Sequence, residues 1–242
     1  MKYNSKMGDT FSLFKRLLVA WLLMAATLSL SGQHIVVFDT LYGADPLLVN
    51  GKVYTFFLSA ETSGNPYLSG SGYEMGSLRL KHINYDGQAL RYDIYNQLLI
   101  LGFVNAQGAE SQIIVSDAFL QGFSLGERFF TRPPTADSAL KFIQLTGDTT
   151  LGIAWSWYKT LALDSKVGAT NYVFSKAKYH SYLMRHGQLF PFKNRKSFLK
   201  LFKAEEKVTM KALLKSLDIN IRRMNTRQAD LLIEQFTKSR KP

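Results

Sequence analysis

The chain from His34 to Phe192 has the hydrophobic pattern of β-strands. Short runs rich in valine, isoleucine, tyrosine, phenylalanine and threonine alternate with turn residues, as in "HIVVFDT", "KVYTFFLS", "SLRLKHINY", "ALRYDIY", "LLILGF" and "QIIVSD". In "ALRYDIY" the alternation predicts that Leu90, Tyr92 and Ile94 share one face of a strand. "LLILGF" does not alternate, which predicts that the strand from Leu98 to Phe103 is covered on both faces.

Three dipeptides that end in glycine lie between apolar runs and predict tight hairpins: Asn50-Gly51, Asp86-Gly87 and His186-Gly187. Two glycine-, proline- and serine-rich segments, Glu61 to Gly76 and Thr131 to Ser138, are predicted to be loops. Consecutive hairpins indicate an antiparallel meander. Such a sheet closes into a barrel or roll, or folds into a sandwich, and the sequence leaves these alternatives open.

After Phe192 the hydrophobic period changes from two to about 3.6, which predicts two or three short helices. Met210, Leu213, Leu214 and Leu217 follow the helical spacing. Asn194 is a suitable N-cap for the first helix, and Asn225 or Thr226 for a last helix that runs to about Lys238. Between the helices, "DINIRR" fits a short strand or a connector. The predicted fold class is therefore mainly β with C-terminal α-helices, or α+β.

The N-terminal segment predicts export. Four basic residues precede an apolar run from Leu17 to Leu30, and Ser29 and Ser31 give the small-x-small pattern that a signal peptidase reads. Because this run is shorter than the roughly 20 residues of a membrane-spanning helix, cleavage near Gly32 is favoured over an uncleaved anchor. The predicted organisation is a signal peptide over 1–31, an antiparallel β-rich body over 32–192 and a basic helical tail packed on the body over 193–242.

Composition supports an exported globular protein. The apolar fraction is 46%, which argues against disorder, and about 210 residues after cleavage can bury a sizeable core. The chain contains no cysteine, so it has neither disulfides nor a thiol for lipid attachment. The predicted location is the periplasm or the outer-membrane surface.

Positive charge is concentrated in the tail. Residues 176–242 carry 17 lysines and arginines against 5 acidic residues, whereas residues 32–175 carry 9 against 12. Such asymmetry indicates an anionic partner. Six lysines on the helical segment are the predicted anion contacts: Lys196, Lys200, Lys203, Lys207, Lys211 and Lys215. The apolar stripe of this segment predicts docking on the protein itself, and the alternative is a helix on a membrane surface that leaves the stripe to lipid.

The sequence does not show a recognisable catalytic or cofactor motif. Its four histidines, at positions 34, 82, 180 and 186, lack the spacing of a zinc site. "GSGYEMG" precedes a predicted strand where a phosphate-binding loop would precede a helix. We therefore predict neither a metal nor a cofactor.

Two carboxylates and several aromatic residues are weaker candidates. Glu74 and Asp93 are conceivable members of a carboxylate pair like that of a glycosidase. Five aromatic side chains are candidates for stacking on sugars or bases: Tyr92, Tyr95, Trp155, Trp157 and Tyr182. Because aromatic residues in alternating strands usually belong to the core or to cross-strand pairs, we favour that interpretation. Ile153, Trp155 and Trp157 are predicted to share one strand face.

The segment "KYHSYLMRHGQLFPFKNRKSFLKLFK" resembles the closing portion of a loose family of exported bacterial β-rich proteins of uncharacterised function. "NGKVYTFF", "GNPYL", "GSL" and "LRYDIY" are similar to the same family, so the resemblance covers most of the chain after the predicted signal peptide. It implies a signal peptide, a β-rich body and a basic helical tail, and it implies no catalytic residues.

These observations favour a non-enzymatic exported protein of the cell envelope that binds or scaffolds another component. The alternative is an envelope enzyme that acts on glycans or lipids. The predicted partner is an unknown envelope protein or an anionic surface, with peripheral membrane contact included. Nucleic acid is a poor candidate, because export removes the protein from most nucleic acids.

Overall fold

The computed structural model describes residues 45–55, 62–105, 107–134, 140–165 and 171–239. The predicted signal peptide and the predicted strand "HIVVFDT" lie outside these residues. The described part is mainly β with helices at its C-terminal end, which confirms the predicted fold class. The strands are β1 Lys52–Val53, β2 Glu74–Leu80, β3 Ile83–Asp93, β4 Leu98–Val104, β5 Glu110–Ile114, β6 Leu120–Leu125, β7 Arg128–Thr131, β8 Ile143–Gly147, β9 Leu151–Tyr158, β10 Leu161–Leu163, β11 Tyr172–Phe174, β12 Lys178–Arg185 and β13 Gln188–Phe192.

Eleven of these strands form one open antiparallel sheet. Their order is β1-β5-β4-β3-β2-β6-β7-β8-β9-β12-β13, and β10 and β11 form a separate two-stranded sheet. The predicted meander is confirmed, and the described strands neither close into a barrel nor divide into two facing sheets. The sheet is strongly curved. The Tyr92 ring on β3 lies 5.4 Å from the Phe130 ring on β7, although three strand spacings of about 4.8 Å separate these strands in a flat sheet.

One of the three predicted hairpins is confirmed. His186 and Gly187 have positive φ angles of 48° and 74° and join β12 to β13. Asp86-Gly87 is not a hairpin: it lies inside β3 as a bulge, where the register shifts opposite Gly76 and Leu78. The hairpin that joins β2 to β3 instead turns at Lys81 and His82, with φ angles of 45° and 73°.

The strand prediction for "SLRLKHINY" therefore needs two corrections. The segment contains two strands and their turn, and His82 lies in that turn. Asn50-Gly51 is also not a hairpin, because it connects a short helix, α1 Pro46–Val49, to β1. Gly87 has the positive φ that a tight turn requires, at 66°, whereas Gly51 does not, and in both cases the neighbouring strand pairs elsewhere.

The face of the sheet that carries Leu90, Tyr92 and Ile94 is buried, as the alternation predicted, and we call it the core face. The opposite, outer face is also covered at β4, where Ile100 is 0% exposed. The loop over residues 62–73 runs beside β3, where Tyr67 pairs with Asp93, and its Tyr73 side chain covers the outer face. A Cβ atom on Gly102 would lie 2.8 Å from the Tyr73 ring, so that ring rests directly on the strand. The predicted covering of Leu98 to Phe103 on both faces is confirmed at Leu99 to Leu101.

Three helices follow the sheet: α2 Arg195–Leu199, α3 Ala204–Ser216 and α4 Thr226–Ser239. Asn194 caps α2 as predicted, because its side chain accepts from the Ser197 amide at 2.9 Å. The Asn225 side chain accepts from the Gln228 amide at 2.9 Å, in the manner of an N-cap for α4. "DINIRR" is a connector between α3 and α4 without a strand.

The helices pack on the core face of the last strands. Ile153, Trp155, Leu183 and Phe192 form one buried cluster with helical residues that include Phe198, Met210, Leu214 and Phe236. Ile153 and Trp155 lie in this cluster and Trp157 packs against it, which confirms that the three share one face. Leu213 and Leu217 are partly buried against the same cluster. No described helix is both long and apolar enough to cross a membrane.

Candidate anion-binding surface

The six predicted lysines lie on the side of α2 and α3 that faces away from the sheet. We call them the basic helical surface: Lys196 and Lys200 on and after α2, Lys203 before α3, and Lys207, Lys211 and Lys215 on α3. Five of them are exposed, and Lys207 is partly buried. The three α3 lysines are four residues apart, so they form one stripe along the helix. Arg195 joins them, since its guanidinium donates to the Lys211 carbonyl at 3.4 Å.

The helices present this side because their apolar side chains are buried in the cluster that α2, α3 and α4 form with the last strands. Phe198 and Met210 are 0% exposed and Leu214 is 2% exposed. Burying side chains of this size contributes roughly 1.5 to 3 kcal/mol each. The rotation of α2 and α3 is therefore set by packing, and the lysine stripe has to point outward.

An ion pair adds a second constraint on α3. Arg185 at the end of β12 donates to both carboxylate oxygens of Glu206, at 2.7 and 2.9 Å, and the two side chains are only 16% and 12% exposed. Glu206 also accepts from the Lys203 amide at 3.1 Å. One of the two glutamates in the basic segment is thus engaged with the sheet and does not neutralise the lysines.

Within the described part of the chain, none of the six lysines is in an ion pair. Like charges at a spacing of four along a helix disfavour one another modestly, and among the described residues neither the exposed Glu205 nor another acidic side chain forms an ion pair with these lysines. The surface therefore carries a fixed positive charge that an external anion would neutralise. Val208, which is 70% exposed, lies among these lysines and adds an apolar side chain to the surface.

The two candidate catalytic carboxylates lie on opposite faces of the sheet. Glu74 pairs with Leu90 on the core face, whereas Asp93 pairs with Leu98 and lies on the outer face. Glu74 is held by Arg128 at 2.8 Å. Because the sheet separates them, these carboxylates do not flank one bond as a glycosidase pair must.

Asp93 instead organises the end of β3. It is 0% exposed and accepts from the Tyr54 hydroxyl at 2.9 Å, from the Asn96 side chain at 2.7 Å and from two backbone amides at 2.8 and 3.0 Å. Burial, followed by interactions with Tyr67 and Asp93, raises the pKa of Tyr54 far above its ordinary value, so Tyr54 remains a donor. These bonds satisfy Asp93 in a structural role.

Arg91 forms a second polar cluster that the sequence did not reveal. Its guanidinium lies between the Tyr67 and Tyr73 rings, 4.0 and 4.5 Å from their centroids. It also donates to the Ser71 carbonyl at 2.6 Å and to Gln112 Oε1 at 2.8 Å. This cluster holds the loop over residues 62–73 to the outer side of β3. Spacing alone gave no signal for it, because the two tyrosines belong to a loop.

The remaining candidate side chains have ordinary structural positions. Tyr92 and Trp155 are buried, and Trp157 donates from its indole nitrogen to Gln144 at 2.9 Å. Tyr95 is 40% exposed with its ring against Phe174, and Tyr182 is partly buried. His180 stacks on Tyr158, and His34 lies outside the described residues. In the described ranges no three histidine, aspartate or glutamate side chains gather as a group that could hold a metal ion.

Comparison of the chain with protein-family models, with curated proteins and with solved structures gives no match.

Proposed function

We propose that this protein is a non-enzymatic, exported component of the cell envelope that attaches to an anionic membrane surface through the basic helical surface. The observation that carries the proposal is the arrangement of α2 and α3. Their apolar residues are buried in the cluster shared with α4 and the last strands, and within the described residues none of the six lysines is in an ion pair. Such a surface fits an anion supplied by a partner.

The chemistry of the surface favours a lipid headgroup layer. A lysine near an anionic leaflet contributes about 1 kcal/mol, and the contributions of several lysines add when they face one plane. Lys207, Lys211 and Lys215 share a single helical stripe, which suits a plane. The exposed Val208 side chain suits the apolar boundary beneath the headgroups. Contact of this kind is peripheral, because the large apolar side chains of these helices already pack on the protein.

The test uses a matched pair of charge variants. Lys207→Gln, Lys211→Gln and Lys215→Gln together remove three charges from the stripe. Lys52→Gln, Lys176→Gln and Lys178→Gln remove the same charge from exposed positions outside the helices. Both triple variants are sedimented with vesicles of phosphatidylglycerol and phosphatidylcholine, in low and high salt, using protein recovered from the producing cells.

We expect the helical variant to bind the vesicles about 10 to 100-fold more weakly than the parent, since three lysines are lost from one plane. The control variant should stay within about threefold of the parent, and high salt should release the parent protein. Equal weakening by the two variants would mean that only net charge matters. Unchanged binding of the helical variant would show that the basic helical surface does not attach the protein to the membrane.

Export is tested separately. The proposal requires the protein recovered from cells to begin near Gly32, and N-terminal sequencing gives the answer directly. Recovery of the chain with an intact N-terminus at Met1 would contradict cleavage and would indicate that the protein is anchored.

A further inference from the structure

A second surface lies on the outer face of the sheet, opposite the face that carries the helices. Strand register aligns Asn84 on β3, Arg79 on β2, Gly122 on β6 and Thr131 on β7 in one row across this face. Above the row is an open groove of about 560 Å³. We call it the Arg79 groove and define it by Arg79, His82, Asn84, Asp86, Gln121 and Phe129. Its volume falls in the range of small-molecule sites.

A glycine and an aromatic ring shape the middle of the groove. A Cβ atom on Gly122 would lie 2.8 Å from the Phe130 carbonyl oxygen and 3.5 Å from the Phe129 ring, so a larger residue at this position would fill the floor. The Phe129 ring lies beside Gly122 and is 50% exposed. The groove therefore offers a flat apolar surface next to its polar groups.

The polar groups in the groove are of mixed charge. Arg79 is exposed, and among the contacts of the described residues its guanidinium takes part in no hydrogen bond or ion pair. Asn84 and Asp86 are exposed on the neighbouring strand. Gln121 is held at the groove's end, because its Oε1 accepts from the His82 amide at 3.1 Å and its Nε2 lies 3.3 Å from the His82 ring.

We propose that the Arg79 groove binds a saccharide unit that carries a carboxylate. The planar guanidinium of Arg79 matches a carboxylate group with two parallel hydrogen bonds. Asn84 and Asp86 supply the amide and carboxylate groups that hydrogen-bond sugar hydroxyls. The Phe129 ring supplies the apolar surface on which the C–H face of a pyranose ring rests.

The charges in the groove argue against a polyanion. Asp86 lies in the same groove as Arg79, so a phosphate chain that contacts the guanidinium also meets a carboxylate. A ligand with one negative charge and several hydroxyls matches both groups. This proposal does not depend on the basic helical surface, because the lysines of that surface belong to α2 and α3 on the core face of the sheet.

The test measures binding of a galacturonate trimer and of the corresponding neutral galactose trimer to the full chain by isothermal titration or ligand-detected NMR. Arg79→Gln removes the guanidinium, and Phe129→Ser removes the ring. Met75→Ser changes an exposed side chain on the same face outside the groove, and Arg222→Gln removes an exposed arginine elsewhere. Thermal unfolding of each variant reports whether the fold is retained.

We expect the parent to bind the galacturonate trimer, and both groove variants to weaken this binding by about tenfold or more. The neutral trimer should bind at least about tenfold more weakly than the acidic one, and the two control variants should match the parent. The triple variant of Lys207, Lys211 and Lys215 should also match the parent. Absence of binding by the parent, unchanged binding by Arg79→Gln, or loss of binding only in the lysine triple variant would each overturn the proposal.

Discussion

Arg185 on β12 and Glu206 on α3 form a largely buried ion pair, with one guanidinium nitrogen 2.7 and 2.9 Å from the two carboxylate oxygens. The same guanidinium group also donates to the Leu201 carbonyl at 3.1 Å. The pair joins the end of β12 to the first turn of α3. It therefore helps to determine which side of α3 faces outward.

Removing one member of this pair should be costly. We expect Glu206→Gln to lower the free energy of unfolding by about 3 kcal/mol, because the Arg185 charge is then left without its partner in a poorly solvated site. The double variant Arg185→Met with Glu206→Leu should recover most of that loss. Urea unfolding of Arg185→Met, Glu206→Leu and the double variant measures the coupling. Additive losses would show that the two side chains act independently.

The docking of α2 on the sheet gives a second prediction. Phe198 is 0% exposed and its ring meets those of Phe192 and Phe202 at 4.8 and 5.1 Å. Phe198→Ala should lower the free energy of unfolding by about 3 to 5 kcal/mol. Val208→Ala is the control, since Val208 is 70% exposed and should change stability by less than about 0.5 kcal/mol. Similar stability of the two variants would mean that the helices do not depend on this packing.

Close pairing of β2 with β6 gives a third prediction. A Cβ atom on Gly76 would lie 2.0 Å from the Ser124 carbonyl oxygen, and this backbone atom moves only if the sheet opens. Gly76→Ala should therefore cost about 2 kcal/mol or more in the free energy of unfolding. At Gly70 a Cβ atom meets nothing within 4 Å, so Gly70→Ala should be neutral. Chemical unfolding curves of the two variants provide the comparison.

The contact between Asp45 and Tyr85 predicts a dependence on pH. The Tyr85 hydroxyl donates to Asp45 Oδ2 at 2.7 Å, and this bond, followed by the Leu47 amide, lowers the pKa of Asp45 below its ordinary value of 3.8. Burial, followed by the bond to Asp45, raises the pKa of Tyr85 to about 12. A carboxyl whose pKa is lowered by folding stabilises the protein above pH 3.8, and this stabilisation is lost as the pH falls through the lowered pKa.

Tyr85→Phe should therefore reduce stability at pH 6 by up to about 1 kcal/mol, since the contact is exposed to solvent. The difference from the parent should shrink as the pH falls toward 3. Tyr179→Phe is the control, because the Tyr179 hydroxyl donates to the neutral Arg222 carbonyl at 3.3 Å. Its effect should not change over this range. A Tyr85→Phe effect that is equally large at both pH values would contradict the assignment.

Local hydrophobic patterns predicted the secondary structure correctly where one face of a strand or helix is buried. The shared face of Ile153, Trp155 and Trp157 and the cap at Asn194 follow from periodicity and capping chemistry. The turn between β2 and β3 did not follow, because Lys81 and His82 adopt positive φ without a glycine, while Asp86-Gly87 forms a bulge. Pairing across the sheet decided between these two positions, and pairing is not a local property.

The candidate sites also differ in whether local sequence patterns predict them. The shared stripe of Lys207, Lys211 and Lys215 on α3 follows from helical spacing alone, and their contact with an anion stays a prediction. The Arg79 groove was not predictable, since it requires Arg79 to lie beside Gly122 on a neighbouring strand from a distant part of the chain. The position of Arg91 between Tyr67 and Tyr73 was likewise not predictable, because both tyrosines belong to a loop.

We propose above that the protein meets anionic membranes with α3 facing the membrane surface. Because the chain contains no cysteine, a single fluorophore can be attached at Ala212→Cys on the exposed side of α3 or at Met75→Cys on the outer face of the sheet. Phosphatidylglycerol vesicles with a headgroup quencher are then added to each labelled protein. We predict strong, salt-sensitive quenching at position 212 and little at position 75. Equal quenching at the two positions, or stronger quenching at position 75, would contradict the claim.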